Sequence, residues 1–475
     1  MKLRLPAHAL PELTLTPDEK HWIVDEAQGV IDEALRAERK FALNGRHVNK
    51  AEWKLVKSKD DFHVYRERSG GRRRASTSAM SLASTSSSCS SSGHQNMSLV
   101  TSGRSLNFSV NSMSSEEHEM LTSSRTSRRM TSTLSAPGDG GIVSSMKESH
   151  VPMLLGAGYV RGTIEDSVFG AQSGDDVAWR LRASYMKDKF ADARILATVR
   201  GPTHEDPFQY LGVKWFTKEQ PKLMGSFIQR RDFLIIEATG YKRDAYGIPY
   251  GYYLLHSVKL KDVPPLTELD VIRCNVSMCF ISRQVEPNNM HIFARGFSDP
   301  RGEMLASVGV ALTAESILAV SEVGECAFVK KLTWFLRKKQ HERHQQLLRT
   351  HAFSNCLVTK CESCNGSLMK LLGGMRSGTT SCEACAITIC SKCTVSKKLI
   401  LEVNGDGVVD RELPFCYICV LEAKNLSARD VALDGVPVPA RPSMRRTMSC
   451  ASRPTQHIRR HTETHRKPSV NIVLY

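Results

Sequence analysis

Apolar residues recur at helical spacing near the start of the chain. One stripe contains six of them: Ile23, Ala27, Val30, Ile31, Ala34 and Leu35. Just before it, Thr16 can act as an N-cap, Pro17 suits the first helical position, and Glu19 is placed for a capping box. The pattern predicts an amphipathic helix that begins at about residue 17. Apolar residues at 53–56 and 62–65, on either side of a polar turn, predict two short strands.

From Tyr159 onward, a strand pattern extends over more than a hundred residues. Apolar and polar residues alternate at 193–199 and 272–280, while 233–236 and 252–258 are more continuously apolar and suit central strands. A long helix follows, for which Thr313 can be the N-cap. Its apolar side is marked by Ile317, Val320, Phe328, Leu332, Phe335 and Leu336. The order predicts an α+β fold in which an antiparallel sheet curves around a C-terminal helix and can enclose a cavity.

Composition divides the chain further. Residues 70–150 are dominated by Ser, Thr, Gly and Arg, and they cannot bury enough apolar surface to offset the entropy of ordering them. We therefore predict a disordered insertion there and a disordered basic tail over 425–475. The α+β domain is then predicted in two parts, 15–69 and 151–340, and a cysteine-rich module at 353–424.

The net charge of the chain indicates a class of partner, and its lack of targeting and membrane-spanning patterns indicates a cellular compartment. The 475 residues include 65 Lys and Arg against 49 Asp and Glu, a formal charge of +16 that favours an anionic partner. The N-terminal stretch lacks the apolar core of a signal peptide, and no stretch approaches the 18 apolar residues of a membrane span. We expect a soluble cytoplasmic protein whose membrane contact, if any, is peripheral.

Eight of the 14 cysteines form four C-x2-C pairs with gaps of 17, 4 and 22 residues between them. They are Cys361, Cys364, Cys382, Cys385, Cys390, Cys393, Cys416 and Cys419. Two such pairs complete one tetrahedral four-thiolate site, so the spacing predicts two structural Zn²⁺ ions. Reduced thiol pairs or disulfides are the alternative, and they suit neither the expected compartment nor the spacing.

The α+β part resembles a START domain, the lipid-transfer-related helix-grip fold. The resemblance lies in WKLVKSKDDFHVY at 53–65, RDF at 231–233 and YYLLHSV at 252–258. It implies a hydrophobic cavity, lidded by the last helix, for a sterol, phospholipid or other apolar ligand. The candidate cavity residues are Ile195, Val276, Met278, Phe280, Ile292, Ile317, Val320 and Phe328. The alternative is that these residues form an ordinary filled core.

The cysteine module resembles FYVE-type fingers, which bind endosomal phosphoinositide and cross-brace two zinc ions. The resemblance lies in the four-residue gap and in CEACAITICSKCTVSKKLIL, which begins at Cys382. It implies that the first and third pairs hold one zinc and the second and fourth pairs the other.

The module also departs from that family. In place of the R(R/K)HHCR stretch it has Gly378, Thr379, Thr380, Ser381, Cys382 and Glu383. Where the family has Trp and Asp, it has Ala352 and Asn355. Glu383 would repel an anionic head group, so we do not expect specific recognition of a 3-phosphate. Lys392, Lys397 and Lys398 could still attract anionic membrane weakly, or they could simply be solvated.

The sequence bears on three classes of function: an enzyme, a nucleic-acid-binding protein and a binding adaptor. The phosphate-binding GxxxxGK[ST], the GxSxG elbow and HExxH, all typical of enzymes, are missing from the sequence. The module has no basic, aromatic-lined helix for a nucleic-acid groove, so nucleic acid is not the expected partner. We predict a non-enzymatic lipid-binding adaptor with a two-zinc finger for membrane or protein recruitment. The alternative is a zinc-dependent protein-interaction scaffold, for example a small-GTPase effector, without lipid transfer.

Overall fold

The computed structural model of the chain describes residues 5, 10–11, 13–68, 140–186, 188, 190–218, 229–350, 358–368, 379–404 and 407–436. Most of the predicted insertion and most of the predicted tail therefore lie outside the described residues, as do Ala352, Asn355 and Gly378.

Helix α1 (Pro17–Leu43) begins where the sequence predicts. The Thr16 side chain accepts a hydrogen bond from the Glu19 N–H, and the Glu19 carboxylate accepts one from the Thr16 N–H at 2.8 Å. This confirms the capping box. Five residues of the predicted stripe are buried and Leu35 is partly buried, so the stripe faces the core.

Ten strands form the main sheet. Their bounds are β1 (Trp53–Lys59), β2 (Phe62–Glu67), β3 (Leu154–Arg161), β4 (Phe190–Arg200), β5 (Tyr210–Lys218), β6 (Arg230–Arg243), β7 (Pro249–Ser257), β8 (Val271–Arg273), β9 (Asn275–Glu286) and β10 (Asn289–Asp299). Nine of them lie in the antiparallel order β1-β2-β3-β10-β9-β7-β6-β5-β4, and the short β8 pairs in parallel with β6. The two continuously apolar runs lie in β6 and β7, which are interior strands, as predicted.

The two faces of the sheet carry different helices. Along β9, Met278 and Phe280 belong to one apolar cluster, and Cys279 and Ile281 belong to another, as period-two alternation requires. Helix α1 covers the second face. The first face, here called the α5 face, is covered by α3 (Ile164–Ala171), α4 (Asp176–Tyr185) and α5 (Ala306–Leu318). The predicted α+β helix-grip fold is confirmed by this arrangement.

The C-terminal helix differs from its prediction at its start. Helix α5 begins at Ala306, and Thr313 lies inside it, where its hydroxyl donates to the Gly309 carbonyl at 2.8 Å. The prediction that Thr313 is the N-cap is therefore wrong, because a threonine can bond back within a helix as well as cap one. A 3₁₀ turn (Ala319–Glu322) then separates α5 from α6 (Val323–Thr350).

By length and composition alone, the helical segment Ala306–Arg349 could cross a membrane, although the sequence analysis expected no such segment. A core helix of a globular protein passes the same test. Here Ile317, Val323 and Leu332 are each at most 2% exposed, packed against the sheet and the cysteine module. Burial within the fold accounts for the apolar character of these positions.

Both segments predicted as disordered reach into the folded part. Residues 140–150 contain α2 (Ile142–Met146), whose Val143 is buried against α1 and donates its N–H to Glu33 at 3.1 Å. Residues 425–436 contain α8 (Ala428–Asp434), whose Val431 is buried beside α3. Composition did not indicate these two short helices, which are held by several apolar side chains: Ile142, Val143 and Met146 in α2, and Ala428 and Val431 in α8.

The cysteine module contains two small antiparallel pairs and a helix. Their bounds are β11 (Thr379–Ser381), β12 (Thr388–Cys390), β13 (Thr394–Asn404), β14 (Gly407–Cys416) and α7 (Tyr417–Asn425). Below we call this module the finger.

Candidate functional site

The eight paired cysteines lie in two groups. One group contains Cys361, Cys364, Cys390 and Cys393, and the other contains Cys382, Cys385, Cys416 and Cys419. Within each group the four Sγ atoms all lie within 4.8 Å of one another. The groups interleave along the chain, as the FYVE resemblance implies, and each could hold one metal ion.

Tight turns bring each pair of thiols to one side. Asn365 and Ala386, which follow the first two pairs, have φ values of 58° and 66°, in the left-handed region. Cys416 is the N-cap of α7 and accepts the Cys419 N–H, so the fourth pair is set by the first turn of a helix. Local backbone geometry thus orients the ligands before any metal is considered.

The thiols fit zinc better than disulfides. Four sulfurs at about 2.3 Å from a tetrahedral zinc lie about 3.8 Å apart. The Cys364 and Cys390 Sγ atoms are 3.8 Å apart, and so are those of Cys385 and Cys416. A disulfide would need about 2.05 Å, and all eight cysteines are free. Each group supplies four sulfurs, which would complete the coordination shell of a tetrahedral ion.

The finger shares its core with helix α6. Five residues of the first half of α6 are buried in one cluster with the cysteines: Phe328, Val329, Leu332, Phe335 and Leu336. Phe328, which was grouped with the predicted cavity residues, therefore lies against the finger. Phe328 lies on a side of α6 that faces the finger instead of the sheet, and the apolar pattern of α6 does not show which neighbour covers that side.

Two adjacent lysines of α6 tie the two regions together. Lys330 Nζ donates to the carbonyls of Phe169 and Gln172 at the end of α3, at 2.6 and 2.7 Å. Lys331 Nζ donates to Asp166 at 2.9 Å and to the carbonyls of Lys424 and Leu426 at the end of α7. Both lysines therefore satisfy helix C-terminal carbonyls, one in the sheet region and one in the finger.

The three lysines predicted to contact membrane have different surroundings. Lys397 Nζ lies 3.4 Å from a Glu325 carboxylate oxygen and 4.9 Å from the ring centre of Phe328. Lys398 Nζ lies 2.6 Å from an Asp410 carboxylate oxygen, whereas Lys392 is exposed. Two of the three are thus engaged within the chain, and their contact with a membrane stays a prediction.

The other predicted cavity residues lie on the α5 face in two neighbouring clusters. Five of them pack between the sheet and α5 with the following turn: Met278, Phe280, Ile292, Ile317 and Val320. Ile195 and Val276 pack around Trp179 on α4 in the second cluster. The sequence therefore selected residues that do come together, with Phe328 as the exception.

A buried charge cluster, formed by Arg182, Lys214 and Glu237, lies between these two apolar clusters. The Arg182 guanidinium donates to both Glu237 oxygens at 3.0 and 2.9 Å, and Lys214 Nζ donates to Glu237 at 2.7 Å. All three side chains are at most 2% exposed. Arg182 lies over the Tyr253 ring of the first apolar cluster, and Lys214 lies 4.5 Å from the Trp179 ring of the second.

The ionisation of this cluster follows from its burial. Burial alone would raise the pKa of Glu237, but the charges of Arg182 and Lys214 lower it from 4.5 to about 2. Burial lowers the pKa of Lys214 to about 8, against the attraction of Glu237. At neutral pH the cluster therefore carries two buried cations and one buried anion, which leaves one net positive charge.

Two donors at the cluster remain unused within the described part of the chain. Trp179 Nε1 and Arg182 Nε are buried and have no hydrogen-bond partner there. A buried N–H without an acceptor is costly, so a group that brings an oxygen to this position would be stabilised.

The comparisons with known proteins concern the fold. No family model and no curated protein match the chain. Among solved structures, human StAR-related lipid transfer protein 5 is similar at 12% identity and a TM-score of 0.36, over 65% of this chain and 97% of that chain. Human STARD10 is similar at 11% identity and a TM-score of 0.32, over 64% of this chain and 82% of that chain.

A StAR-related lipid transfer protein fragment from Xanthomonas axonopodis has 9% identity and a TM-score of 0.30, over 58% of this chain and 98% of that chain. With TM-scores below 0.5, these similarities carry no argument about a ligand of this chain.

The buried charge cluster was not predicted from the sequence. Its signal was present: Lys214 and Glu237 are single charges within the otherwise apolar runs YLGVKWF and FLIIEA. A charge in such a run needs a buried partner, but the run does not show which residue supplies it.

Proposed function

We propose that the chain is a non-enzymatic lipid-binding adaptor whose α5 face holds an apolar lipid. The observation that carries this proposal is that five predicted cavity residues meet between the sheet and α5, beside a buried charge cluster with two free donors. A lipid needs an apolar wall for its hydrocarbon part and a polar partner for its oxygen atoms. The α5 face offers both, joined at Tyr253.

Helix α5 is the element that would move to admit the lipid. It lies so close to the sheet that a Cβ placed on Gly156 would be 2.7 Å from the Ile317 side chain. It is tied to β1 by the ion pairs Lys57–Glu315 and, through the following turn, Lys59–Glu322, all partly exposed. Exposed ion pairs contribute little to stability, so these two pairs hold α5 on the sheet less firmly than buried contacts hold α6.

The finger is proposed to hold two structural zinc ions and to recruit the protein to a membrane or a partner protein. Its closed four-sulfur groups give the metals a folding role and leave catalysis without an open position. Thiolates of this kind persist in a reducing compartment, which supports a cytoplasmic protein that binds anionic, for example endosomal, membrane peripherally.

His256, Ser277 and Glu26 resemble a catalytic triad, but the burial of His256 and Ser277 is consistent with a structural role. His256 lies 2.9 Å from the Ser277 hydroxyl and 3.2 Å from a Glu26 carboxylate oxygen, which is a serine–histidine–acid relay in outline. Ser277 is fully buried in β9, however, so a substrate cannot approach its oxygen. The relay instead joins α1 to the sheet.

Native mass spectrometry of the full chain purified from cells tests the proposal. We expect two zinc ions and one co-purified lipid. Ile317→Thr on the α5 face should reduce lipid retention, whereas Ile281→Thr, equally buried on the α1 face, should leave it unchanged. A protein that never carries lipid, or that loses it equally in both variants, would refute the proposal.

A zinc-dependent protein-interaction scaffold is the second candidate. It is favoured by the close approach of α5 to the sheet at Gly156 and by exposed apolar residues on α7. Two zinc ions with no lipid in the same measurement would support this candidate.

A further inference from the structure

Helix α7 presents large apolar side chains to solvent. Tyr417, Ile418 and Leu421 are 54%, 58% and 56% exposed, while Cys419 and Ala423 on the opposite side are buried in the finger core. Residues at these spacings share one side of a helix. A contiguous exposed apolar row of this kind marks an interaction site.

This row continues into a groove between α6 and α7. The groove is shallow and open to solvent, has a volume of about 480 Å³ and is lined by Phe335, Ile418, Leu421, Glu422, Asn425 and Leu426. Lys331 holds the end of α7, and Arg343, further along α6, donates to the Glu383 carbonyl in the second cysteine pair. Helix α7 therefore packs against the middle of α6, with its C-terminal end at Lys331, and the second half of α6 continues toward the second cysteine pair.

That half of α6 is strongly basic. Beyond Phe335 it carries five cations and one acid, Glu342: the cations are Arg337, Lys338, Lys339, Arg343 and Arg349. Lys339 Nζ lies 5.5 Å from the centre of the Phe335 ring, which places this cation at the rim of the groove. Its partner Glu342 is 3.7 Å away in an exposed pair, which an anionic group could displace at little cost.

We infer that this α6–α7 surface docks on an anionic lipid membrane, which specifies the recruitment partner in the proposed function and rests on it. Ile418, Leu421 and Tyr417 enter the boundary between head groups and acyl chains, and the rim cations meet lipid phosphates and carboxylates. A membrane accepts protruding side chains without a matching pocket. The rim charge, opposite in sign to the membrane, selects this occupant over neutral or basic partners.

Vesicle sedimentation of the full-length, metal-bound chain tests this inference. The chain should bind phosphatidylcholine vesicles that contain phosphatidylserine, more weakly at raised salt, and bind pure phosphatidylcholine poorly. The double variant Ile418→Asp, Leu421→Asp should lower the affinity about tenfold or more, because two apolar side chains no longer enter the membrane. Lys338→Glu with Lys339→Glu should remove mainly the salt-sensitive part.

The matched control is Ile248→Asp, a 53% exposed isoleucine in the turn between β6 and β7. It should bind as the wild type does. Metal content and circular dichroism check that each variant is folded, and the lysine variant provides a second test if the α7 variant is not. Wild-type affinity in both the α7 and lysine variants, or no vesicle binding by the wild type, would overturn the inference.

A dimer in size-exclusion chromatography that the α7 variant converts to monomer would also overturn it, because a second copy would then cover the surface. Native mass spectrometry separates this inference from the lipid proposal. A variant that keeps its lipid but loses vesicle binding places recruitment on α7. A wild type that binds vesicles and carries no lipid refutes only the lipid-holding part.

Discussion

The sheet region and the finger are stabilised by different means. The sheet region buries large apolar side chains on both faces, and its clusters contain few cysteines. The core of the finger contains five buried cysteines among its apolar residues, and five of those apolar residues belong to α6. A region this small buries too little apolar surface to fold alone, so its order depends on the metals and on the neighbouring helix.

Helix α6 contributes buried residues to both regions. On one side Ala327 is buried with Val168 and Phe169 of α3, and on the other Leu332 and Leu336 are buried with the cysteines. Treating the finger as an independent domain would therefore cut through a shared core. The predictions that follow separate the two contributions, beginning with the largest.

Metal removal should have the largest effect. Structural zinc contributes on the order of 10 kcal/mol to small modules of this type, so chelation should unfold the finger and expose the buried side of α6. The sheet should remain folded, which would give two separate thermal transitions in circular dichroism. Cys393→Ala should behave like the chelated protein, whereas Cys326→Ala, at a buried cysteine outside both groups, should keep both metals. A single unchanged transition after chelation would contradict this.

Disruption of the buried charge cluster should have the second-largest effect on stability. Glu237→Gln leaves Arg182 and Lys214 without their anion, and we expect a loss of about 3–5 kcal/mol in the free energy of unfolding. Urea denaturation measures it. The control is Glu315→Gln, which removes an exposed partner of Lys57 and should cost less than about 1 kcal/mol. Equal losses in the two variants would show that burial of the cluster does not matter.

The same cluster predicts a pH dependence. The pKa of Glu237 is lowered from 4.5 to about 2, so its stabilising effect is fully present above pH 4.5 and is lost as pH falls toward 2. The stability difference between the wild type and Glu237→Gln should therefore narrow across that window. Denaturation at several pH values would test this, and a difference that stays constant would argue against the lowered pKa.

The smallest effects should come from the two neighbouring lysines of α6. Lys331→Met and Lys330→Met each remove charged hydrogen bonds worth about 1.5–3 kcal/mol in total. We expect Lys331→Met to increase hydrogen exchange in α7 and, because Asp166 loses its partner, in α3 as well, whereas Lys330→Met should affect α3 and leave α7 unchanged. Equal loosening of α7 in both variants would contradict the contacts of the two lysines.

Local signals were enough to predict several features. The capping box at Thr16, the alternation along β9 and the spacing of the cysteine pairs each encode their structure within a few residues or a fixed gap. The buried charge cluster could not be predicted in this way, since Glu237 pairs with residues 55 and 23 positions away on other elements. Phe328 was misplaced for a related reason: its stripe does not show whether the sheet or the finger covers it.

Helix α6 is continuous between the sheet region, which carries the α5 face, and the α6–α7 surface. Its 28 residues span about 42 Å as one helix, from the sheet region, past α7, to an exposed C-terminal end. A flexible tether would let a lipid-holding domain sample many angles to a bilayer. If the α5 face holds a lipid and the α6–α7 surface docks on a membrane, as proposed, a continuous helix would present the lipid-binding domain to the bilayer at one fixed angle.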